Sequence, residues 1–198
     1  MRKAALLSSA VAMLISVQVL AAERPDQTAA QIAAIRAVTA KYHDVEKAKA
    51  DGYQQVSLMV PNMGHHFRNQ DVKGFELERP HILLYVKAKD DAWQLVGVEW
   101  GFPKGSRPPD DQIPFKKPQW SVHKAACHFK DYSEISMTDK DKCPAKSPET
   151  GAEVAFWHPD LDTLHVWAWH PSPRGPFTAL NPLLAPYNPP APQKSQKR

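Results

Sequence analysis

Histidine is the residue type through which this sequence could most readily do chemistry. The chain contains nine histidines. His65 and His66 follow a first predicted strand, and His81 opens a second. Glu99 lies near the end of a third predicted strand, and His165 lies within the last. Residues at the ends of adjacent strands can converge on one point, so these five side chains are candidates for a shared site.

Imidazole and carboxylate groups in combination are typical of metal sites. Two imidazoles and one carboxylate can bind a divalent ion such as zinc, copper or iron, and they leave coordination positions open for water or substrate. Water bound in an open position becomes acidic enough to act as a nucleophile or a base. The spacing of the candidates along the chain does not by itself show that they meet.

The candidates also have structural interpretations. His165 lies among aromatic residues, where a histidine commonly hydrogen-bonds a backbone carbonyl in the core. Glu99 lies between Val98 and Trp100 and could be a buried acid paired with Arg or Lys, because an unpaired buried charge is costly. A sheet rich in tryptophan could also hold an apolar or carbohydrate-like ligand without any metal. A structural or non-metal binding module is therefore the alternative to a metal site.

Several familiar catalytic signatures are absent from the sequence. It contains no Gly-x-Ser-x-Gly, no phosphate-binding glycine loop, no His-Glu-x-x-His and no Cys-x-x-Cys-His. These absences argue against a common serine hydrolase, a nucleotide-dependent enzyme, a zincin and a c-type cytochrome.

The first 22 residues have the pattern of a secretory signal peptide. A basic start precedes an apolar run, and Ala21 and Ala22 provide small residues where a signal peptidase would cut. The run could instead be a retained membrane anchor, but it is short for a spanning helix. We expect cleavage, and therefore a periplasmic or secreted protein with no stable membrane span.

Charge and composition indicate one exported domain. Removal of Arg2 and Lys3 with the signal lowers the formal net charge from +4 to +2, which gives no reason to expect a nucleic-acid partner. The expected partner is a metal ion or a small-molecule ligand. Hydrophobic residues make up 42% of the chain, enough for a core. We expect a single globular domain over residues 23–180 and a proline-rich disordered tail over residues 181–198.

Cys127 and Cys143 are the only cysteines. In an oxidising compartment, a disulfide between them is the expected state. Thiolate metal ligation is the alternative, because His123 precedes Cys127 by four residues and His128 follows it. One His-x-x-x-Cys spacing is a weak signal, so we predict the disulfide.

One helix is predicted ahead of the strands, over residues 28–51. Apolar side chains recur there at steps of three and four and so share one face. Thr28 and Gln31 fit a capping box at the start. Gly52 suits the left-handed conformation that commonly follows a helix end.

Strands are predicted at residues 53–60, 81–87, 93–100, 153–157 and 163–170. A short polar turn separates the second strand from the third and the fourth from the last, so each pair should form a hairpin. Residues 102–118 are proline-rich and should be irregular. No strand–helix–strand alternation occurs, which argues against a parallel sheet. The predicted fold is therefore α+β, with an N-terminal amphipathic helix packed on a curved, mainly antiparallel sheet or partial barrel.

Several motifs resemble those of a group of uncharacterised exported proteins. Residues 63–67, Met-Gly-His-His-Phe, resemble the Met-Gly-x-His-aromatic motif of that group. The other similar stretches are Asp-Gly-Tyr at 51–53, Leu-Val-Gly-Val-Glu-Trp at 95–100, Leu-His-Val-Trp-Ala-Trp at 164–169, and Gly-x-Phe-x-x-x-Asn-Pro at 175–182, with Ser172 in place of the Asn that precedes this last pattern. The resemblance runs from about residue 41 to residue 182, except for residues 103–150. It implies a recurring set of site residues and names no reaction.

The resemblance implies that His66, Glu99 and His165 belong together. We therefore predict that these three residues bind a divalent metal ion. His81 stands where the group has an acidic residue, so it could add a ligand or replace an acid that supports one. Either His65 or His81 is the candidate for a fourth ligand.

Overall fold

A computed structural model describes residues 27–189 of the chain. The signal peptide predicted for residues 1–22 lies outside this range, as do residues 190–198 of the predicted tail. Within the described range, a helical N-terminal segment precedes two antiparallel β-sheets. No helix of that range has both the length and the apolar character needed to cross a membrane.

The N-terminal helical segment is broken in the middle. Helix α1 spans Thr28–Thr39, a 3-10 turn covers Ala40–His43, and helix α2 spans Val45–Ala50. Asp44 has an extended backbone, and its carboxylate accepts a hydrogen bond from the N–H of Glu46. The prediction of one continuous helix is wrong at this point, because an aspartate that caps a new helix takes the backbone out of the preceding one.

The prediction is wrong at the start of the helical segment and confirmed at its end. The N-cap of α1 is Gln27, whose side chain makes no capping hydrogen bond. Thr28 therefore lies inside the helix, and the predicted capping box is wrong. At the other end, Gly52 has a φ of +93°, which confirms the predicted left-handed residue.

Nine strands occur within residues 27–189, and every strand pair is antiparallel. The strands are β1 (Tyr53–Gln55), β2 (His65–Asn69), β3 (Ile82–Lys87), β4 (Trp93–Pro103), β5 (Ser121–His123), β6 (Ala126–Phe129), β7 (Glu134–Ser136), β8 (Val154–His158) and β9 (Leu161–Val166). A six-stranded sheet has the order β1-β2-β3-β4-β9-β5, and a three-stranded sheet has the order β7-β6-β8. The predicted α+β class with mainly antiparallel sheets is confirmed. The larger sheet ends in two free edges and is not a closed barrel.

One of the two predicted hairpins is present. The hairpin over residues 81–87 and 93–100 is confirmed by the pairing of β3 with β4. The hairpin over residues 153–157 and 163–170 is wrong, because β8 pairs with β6 and β9 pairs with β4. The turn between β8 and β9 carries the chain from the small sheet to the large one. A short connection predicts proximity, but the hydrogen-bonding partner of each strand depends on the rest of the fold.

The larger sheet has one apolar face, which packs against the helical segment. Its buried strand residues are Phe67, Leu83, Tyr85, Val98, Trp100, Leu164 and Val166. The hydroxyl of Tyr85 donates to the backbone carbonyl of Tyr42 at 2.6 Å and so links the sheet to the helical segment. Since successive side chains of a strand alternate between faces, the neighbours of these residues point away from the helices.

The other face of the larger sheet has two covers. A C-terminal 3-10 turn, Pro182–Tyr187, covers one part through a small apolar cluster that includes Leu84, Trp167 and Leu184. The three-stranded sheet covers the other part, and a cavity lies between the two sheets.

The C-terminal turn corrects the prediction of a disordered tail. Leu184 and Asn181 are fully buried, and the Asn181 amide donates to the carbonyl of His170 at 2.7 Å. The Asn181 side chain also accepts from the N–H of Leu183 at 3.1 Å and so caps the turn. The prediction is wrong for residues 182–187, because buried apolar contacts and this cap hold them against the sheet despite their prolines.

The predicted disulfide is present. Cys127 on β6 is bonded to Cys143, which follows a 3-10 turn at Lys140–Lys142. The bond ties the small sheet to the loop beyond β7. It also removes Cys127 as a thiolate ligand for a metal ion.

Candidate metal centre

The face of the larger sheet that points away from the helices brings three predicted ligands together. One ligand atom from each of His66, Glu99 and His165 lies within 4.8 Å of the other two. The Nε2 atoms of His66 and His165 are 3.3 Å and 3.6 Å from Oε2 of Glu99. All three side chains are buried, with only 5%, 1% and 1% of their surface exposed. These three residues form the candidate metal centre.

Three strands position these side chains. Glu99 on β4 lies directly opposite His165 on β9, so the two side chains are cross-strand neighbours on one face. His66 lies on β2, and β3 separates it from β4. The His66 ring must therefore extend across β3 to reach Glu99. The centre depends on long-range strand pairing at every contact.

Gly64 allows β2 to begin where it does. It has a φ of +112°, and a Cβ atom there would lie 2.7 Å from the carbonyl oxygen of Tyr85. Only glycine fits this close approach to β3. The sequence placed His65 and His66 in a turn, whereas both lie in β2 directly after this glycine. The glycine of the Met-Gly-x-His motif thus helps to place His66 in the sheet.

The cluster contains buried polar atoms that have no hydrogen-bond partner in the described structure. They are Nε2 of His66, Oε2 of Glu99 and both ring nitrogens of His165. The two imidazole contacts with Glu99 are short, but they are not aligned as hydrogen bonds. Each buried polar atom without a partner destabilises a fold by about 1–3 kcal/mol, and more when it is charged. A cation bound among these atoms would satisfy them together.

Ser57 contacts Nδ1 of His66, and its other hydrogen bonds favour one tautomer of that ring. Its hydroxyl donates to the carbonyl of Leu58 at 2.9 Å and accepts from the backbone N–H of His66 at 3.0 Å. With its proton used in this way, the oxygen accepts from Nδ1–H of His66 at 2.9 Å. Nε2 is then left with a lone pair that faces the carboxylate of Glu99. Two acceptors do not bind each other, but both bind a cation, so this hydrogen-bond network suits a metal ion.

Local charges keep the centre in a state that can bind a cation. Burial alone would raise the pKa of Glu99, but the two neighbouring imidazoles, His165 and His66, outweigh burial and lower it to about 2. Burial lowers the pKa of His165, and the charge of Glu99 opposes this only in part. At neutral pH, Glu99 is therefore ionised and His165 is neutral. Metal ligation needs these two protonation states.

A cavity of about 40 Å³ adjoins the centre. Its walls include His66 and Glu99 from the larger sheet, and His128, Phe156 and His158 from the smaller one. One water needs roughly 10–15 Å³, so the cavity accommodates a few water-sized groups. The candidate centre therefore has an open side between the sheets.

Neither candidate fourth ligand is part of the cluster. His65 points to the opposite face of β2 and contacts the edge of the Trp93 ring, and burial lowers the pKa of its imidazole to about 4. His81 has Nε2 at 2.8 Å from the carbonyl of Gly74, and Nδ1 at 3.2 Å from the N–H of Gly101. Nδ1 is also 2.9 Å from the carbonyl of Gly101, so backbone groups of Gly74 and Gly101 occupy both ring nitrogens of His81.

Three other histidines continue from the centre along the cavity. The rings of His123, His158 and His128 follow one another at centroid separations of 5.2 Å and 5.0 Å, and His123 lies 6.4 Å from His66. Nδ1 of His128 donates to a backbone carbonyl at 3.1 Å, which leaves its buried Nε2 without a partner in the described residues. The sequence indicated His123 and His128 only as neighbours of a cysteine. Recognition of β5 and β6 as strands would have been needed to find this row.

Two tryptophans near the centre belong to the core. Trp100 and Trp167 are buried, and their indole N–H groups donate to the backbone carbonyls of Glu76 and Thr178. Trp167 also stacks on His165, with 6.1 Å between the ring centroids. Both rings are buried, so neither is an exposed stacking platform for a sugar.

Comparison of the chain with protein-family models, with curated proteins and with solved structures found no match. The resemblance to exported proteins with the Met-Gly-x-His-aromatic motif therefore stays a prediction. The geometry of the centre is the basis of the functional argument.

Proposed function

We propose that this protein is an exported metal-binding protein whose ligands are His66, Glu99 and His165. Zinc, copper and iron are the candidate ions, because all three accept imidazole and carboxylate ligands together. Three protein ligands and an adjoining cavity leave a position for water or a small ligand. The observation that supports the proposal is the convergence of three buried ligand atoms within 4.8 Å, without hydrogen-bond partners among residues 27–189.

A buried ion pair without metal is the competing explanation of the same cluster. It would require an extra proton on an imidazole, and a hydrogen bond from that proton to Glu99. The network around Ser57 leaves Nε2 of His66 as an acceptor, and neither imidazole is aligned to donate to Glu99. These two features favour a metal ion over a shared proton.

A bound metal ion would supply Lewis acidity at the cavity wall. The chain itself contributes ligands held on paired strands, where packing fixes their positions better than a loop could. It also contributes a second row of imidazoles, His123, His158 and His128, facing the same cavity. Such a site serves a binding protein or a metal-dependent enzyme.

Export is part of the proposal. The signal pattern of residues 1–22 and the disulfide between Cys127 and Cys143 both suit an oxidising compartment, the periplasm or the cell exterior. Mass spectrometry of the exported chain should find a new N-terminus close to Ala22. An exported chain that still begins at Met1 would contradict cleavage.

Elemental analysis tests the metal directly. The protein should be purified from its natural compartment without a histidine tag and then analysed for zinc, copper and iron per chain. We expect a stoichiometric ion, and we expect it to be absent from a Glu99→Gln variant, because an amide lacks the negative charge of the ligand. The matched control is Glu153→Gln, which changes an exposed acid directly before β8 whose carboxylate pairs with Lys130.

The same elemental analysis can also contradict the proposal. Wild-type protein that contains no metal, and takes up none of the three ions after reconstitution, would contradict the proposal. That result would favour the alternative of a structural or non-metal ligand-binding module.

A further inference from the structure

Arg68 lies at the wall of the cavity and forms neither an ion pair nor a hydrogen bond with its guanidinium among residues 27–189. Its side chain is half-buried and lines the cavity together with His66 and Glu99. In the described part of the chain, the guanidinium makes no hydrogen bond, and no carboxylate lies within 4.0 Å of it. A half-buried arginine normally pairs with a carboxylate or a carbonyl, because its five N–H donors are costly to leave unused.

The strand register places Arg68 beside the metal centre. Arg68 follows His66 by two residues on β2, so both side chains lie on the same face of the sheet. It also lies opposite Ile82, which in turn lies opposite Glu99. The guanidinium and the centre therefore belong to one face and one cavity.

The formal charges around the cavity favour a monoanion. Glu99 and Glu134 are the carboxylates among the lining residues, and Arg68 is the permanently charged base among them. A divalent ion at the centre would leave these groups with one net positive charge. A carboxylate ligand with one negative charge neutralises it, whereas a phosphate dianion would leave an excess of negative charge.

The size of the cavity limits the ligand. A volume of about 40 Å³ has room for a few water-sized groups, which corresponds to a molecule of about three to five heavy atoms. The planar fork of a guanidinium matches a carboxylate with two parallel hydrogen bonds. His123, whose ring lies between those of His66 and His158, is a further donor at the same wall.

We propose that the cavity binds a small monocarboxylate, which Arg68 holds beside the metal ion. This inference rests on the proposed metal site, and it adds the class of ligand that the site takes. The ligand is a formate- or acetate-sized carboxylate, the size that the cavity accommodates.

Cobalt(II) can test both the metal site and the carboxylate site. Its visible absorption changes when a new ligand binds to the ion or close to it. The full mature protein is loaded with cobalt(II) and titrated with sodium formate at constant ionic strength. We expect the spectrum of the wild-type protein to change and to reach a plateau as formate is added. Arg68→Gln should bind the same amount of cobalt and weaken formate binding at least about tenfold, as expected for loss of a paired charge-assisted hydrogen bond.

Two further variants make the test specific. Arg79→Gln removes an exposed arginine whose ion-pair partner is Glu76 at 3.8 Å, and this variant should bind formate as the wild type does. Arg68→Lys keeps the charge but loses the fork, and it should weaken formate binding about threefold or more. The lysine variant decides the matter if the glutamine variant does not fold.

The outcomes separate this inference from the proposed function. Wild-type protein that binds no cobalt refutes the metal site, and the carboxylate site with it. Cobalt binding without a response to formate, or an equal response in the wild type and in both Arg68 variants, overturns the carboxylate site alone. Benzoate bound as tightly as formate would also overturn it, because a ring of that size does not fit the cavity.

Discussion

The two faces of the six-stranded sheet are built from the same strands but hold opposite kinds of side chain. Leu164 and Trp100 face the helical segment and are fully buried. Their neighbours in sequence, His165 and Glu99, face the other way and are just as buried. The first pair is stabilised by removal of apolar surface from water, whereas the second pair loses hydration that no hydrogen bond among residues 27–189 fully replaces.

This difference shows that burial alone does not distinguish a core from a site. A buried apolar residue lowers the free energy of the fold wherever it packs well. A buried carboxylate with two imidazoles that do not donate to it raises the free energy unless a ligand satisfies the group. Apolar burial on the helical face therefore offsets the free-energy cost of holding buried polar ligands on the other face.

His165→Ala should break the polar face and produce the largest effect. Loss of one of three protein ligands should lower metal affinity well beyond the roughly 10–100-fold typical of residues that only support a ligand. The metal-free protein should lose up to about 3 kcal/mol of stability from the cavity left by the ring but stay folded, because His165 makes no hydrogen bond through its ring nitrogens within the described structure. Competition with a chromophoric chelator measures the affinity, and urea unfolding in the presence of EDTA measures the stability.

His43→Ala is the matched control for that variant. His43 is exposed on the 3-10 turn after α1 and contacts the edge of the Trp169 ring at 4.3 Å between centroids. Its loss should leave metal affinity unchanged. A His165 variant that keeps full metal stoichiometry, or that unfolds with and without metal, would make His165 an ordinary core histidine.

Leu164→Ala should break the apolar face at the adjacent residue. Truncation of a fully buried leucine typically destabilises a protein by about 2–5 kcal/mol, so we expect a loss of about 3 kcal/mol from the free energy of unfolding. Metal affinity under folding conditions should stay within about threefold of the wild type, an allowance of about 0.7 kcal/mol. If this variant lost metal as His165→Ala does, the two faces would not be independent.

Ser57→Ala should weaken the polar face without removing a ligand. The hydroxyl of Ser57 holds Nδ1 of His66 and leaves Nε2 free for the metal ion. Without it, the ring can rotate or take the other tautomer, and we expect metal affinity to fall about 10–100-fold. Isothermal titration with the native metal measures this change. An unchanged affinity would mean that packing alone orients His66.

Low pH should destabilise the metal-free protein through His128, which lies in the row of histidines along the cavity. This is the smallest effect that we predict. Burial lowers the pKa of His128 to about 4, although the charge of Glu134 and the hydrogen bond to Val56 raise it, and the charges of His158 and His123 lower it. The unfolded chain binds this proton near pH 6.5, so stability is lost as the pH falls from about 6.5 toward 4. Between pH 7.5 and 5.5 this one group accounts for about 1 kcal/mol.

A His128→Phe variant isolates that contribution. Phenylalanine preserves the stacking on Phe156, whose ring lies 4.4 Å away, and it does not titrate. Urea unfolding with EDTA at the two pH values should show a stability difference smaller by about 1 kcal/mol in the variant. An identical pH dependence in both proteins would mean that His128 is already protonated or exposed in the fold.

Much of the local structure could be predicted from the sequence. The hairpin of β3 and β4 follows from two apolar runs joined by a short polar turn, and the disulfide follows from two cysteines in a chain with a signal pattern. The errors arise where tertiary contacts compete with local preference. Asp44 interrupts a good helical periodicity, and Leu184 holds a proline-rich segment against the sheet.

The candidate site was predicted only in part, because its residue types are local properties whereas its contacts are tertiary. The chemistry of His66, Glu99 and His165 is a property of each residue, and the resemblance to a group of exported proteins associated the three. His81 had equal standing in the sequence, yet two backbone groups occupy its ring nitrogens. Arg68 and the histidine row had no local signal, because β2, β5 and β6 were not recognised as strands.

The sequence by itself determined which groups could bind a metal ion and that alternate residues of one strand would face opposite ways. Only the tertiary structure decided that β2, β4 and β9 bring three of those groups within 4.8 Å of one another. Alternation is a local consequence of backbone geometry, whereas convergence depends on strand pairing between residues as far apart in sequence as Val98 and Val166. The sequence therefore specifies which residues can be ligands, and the pairing of the strands brings those residues together into a site.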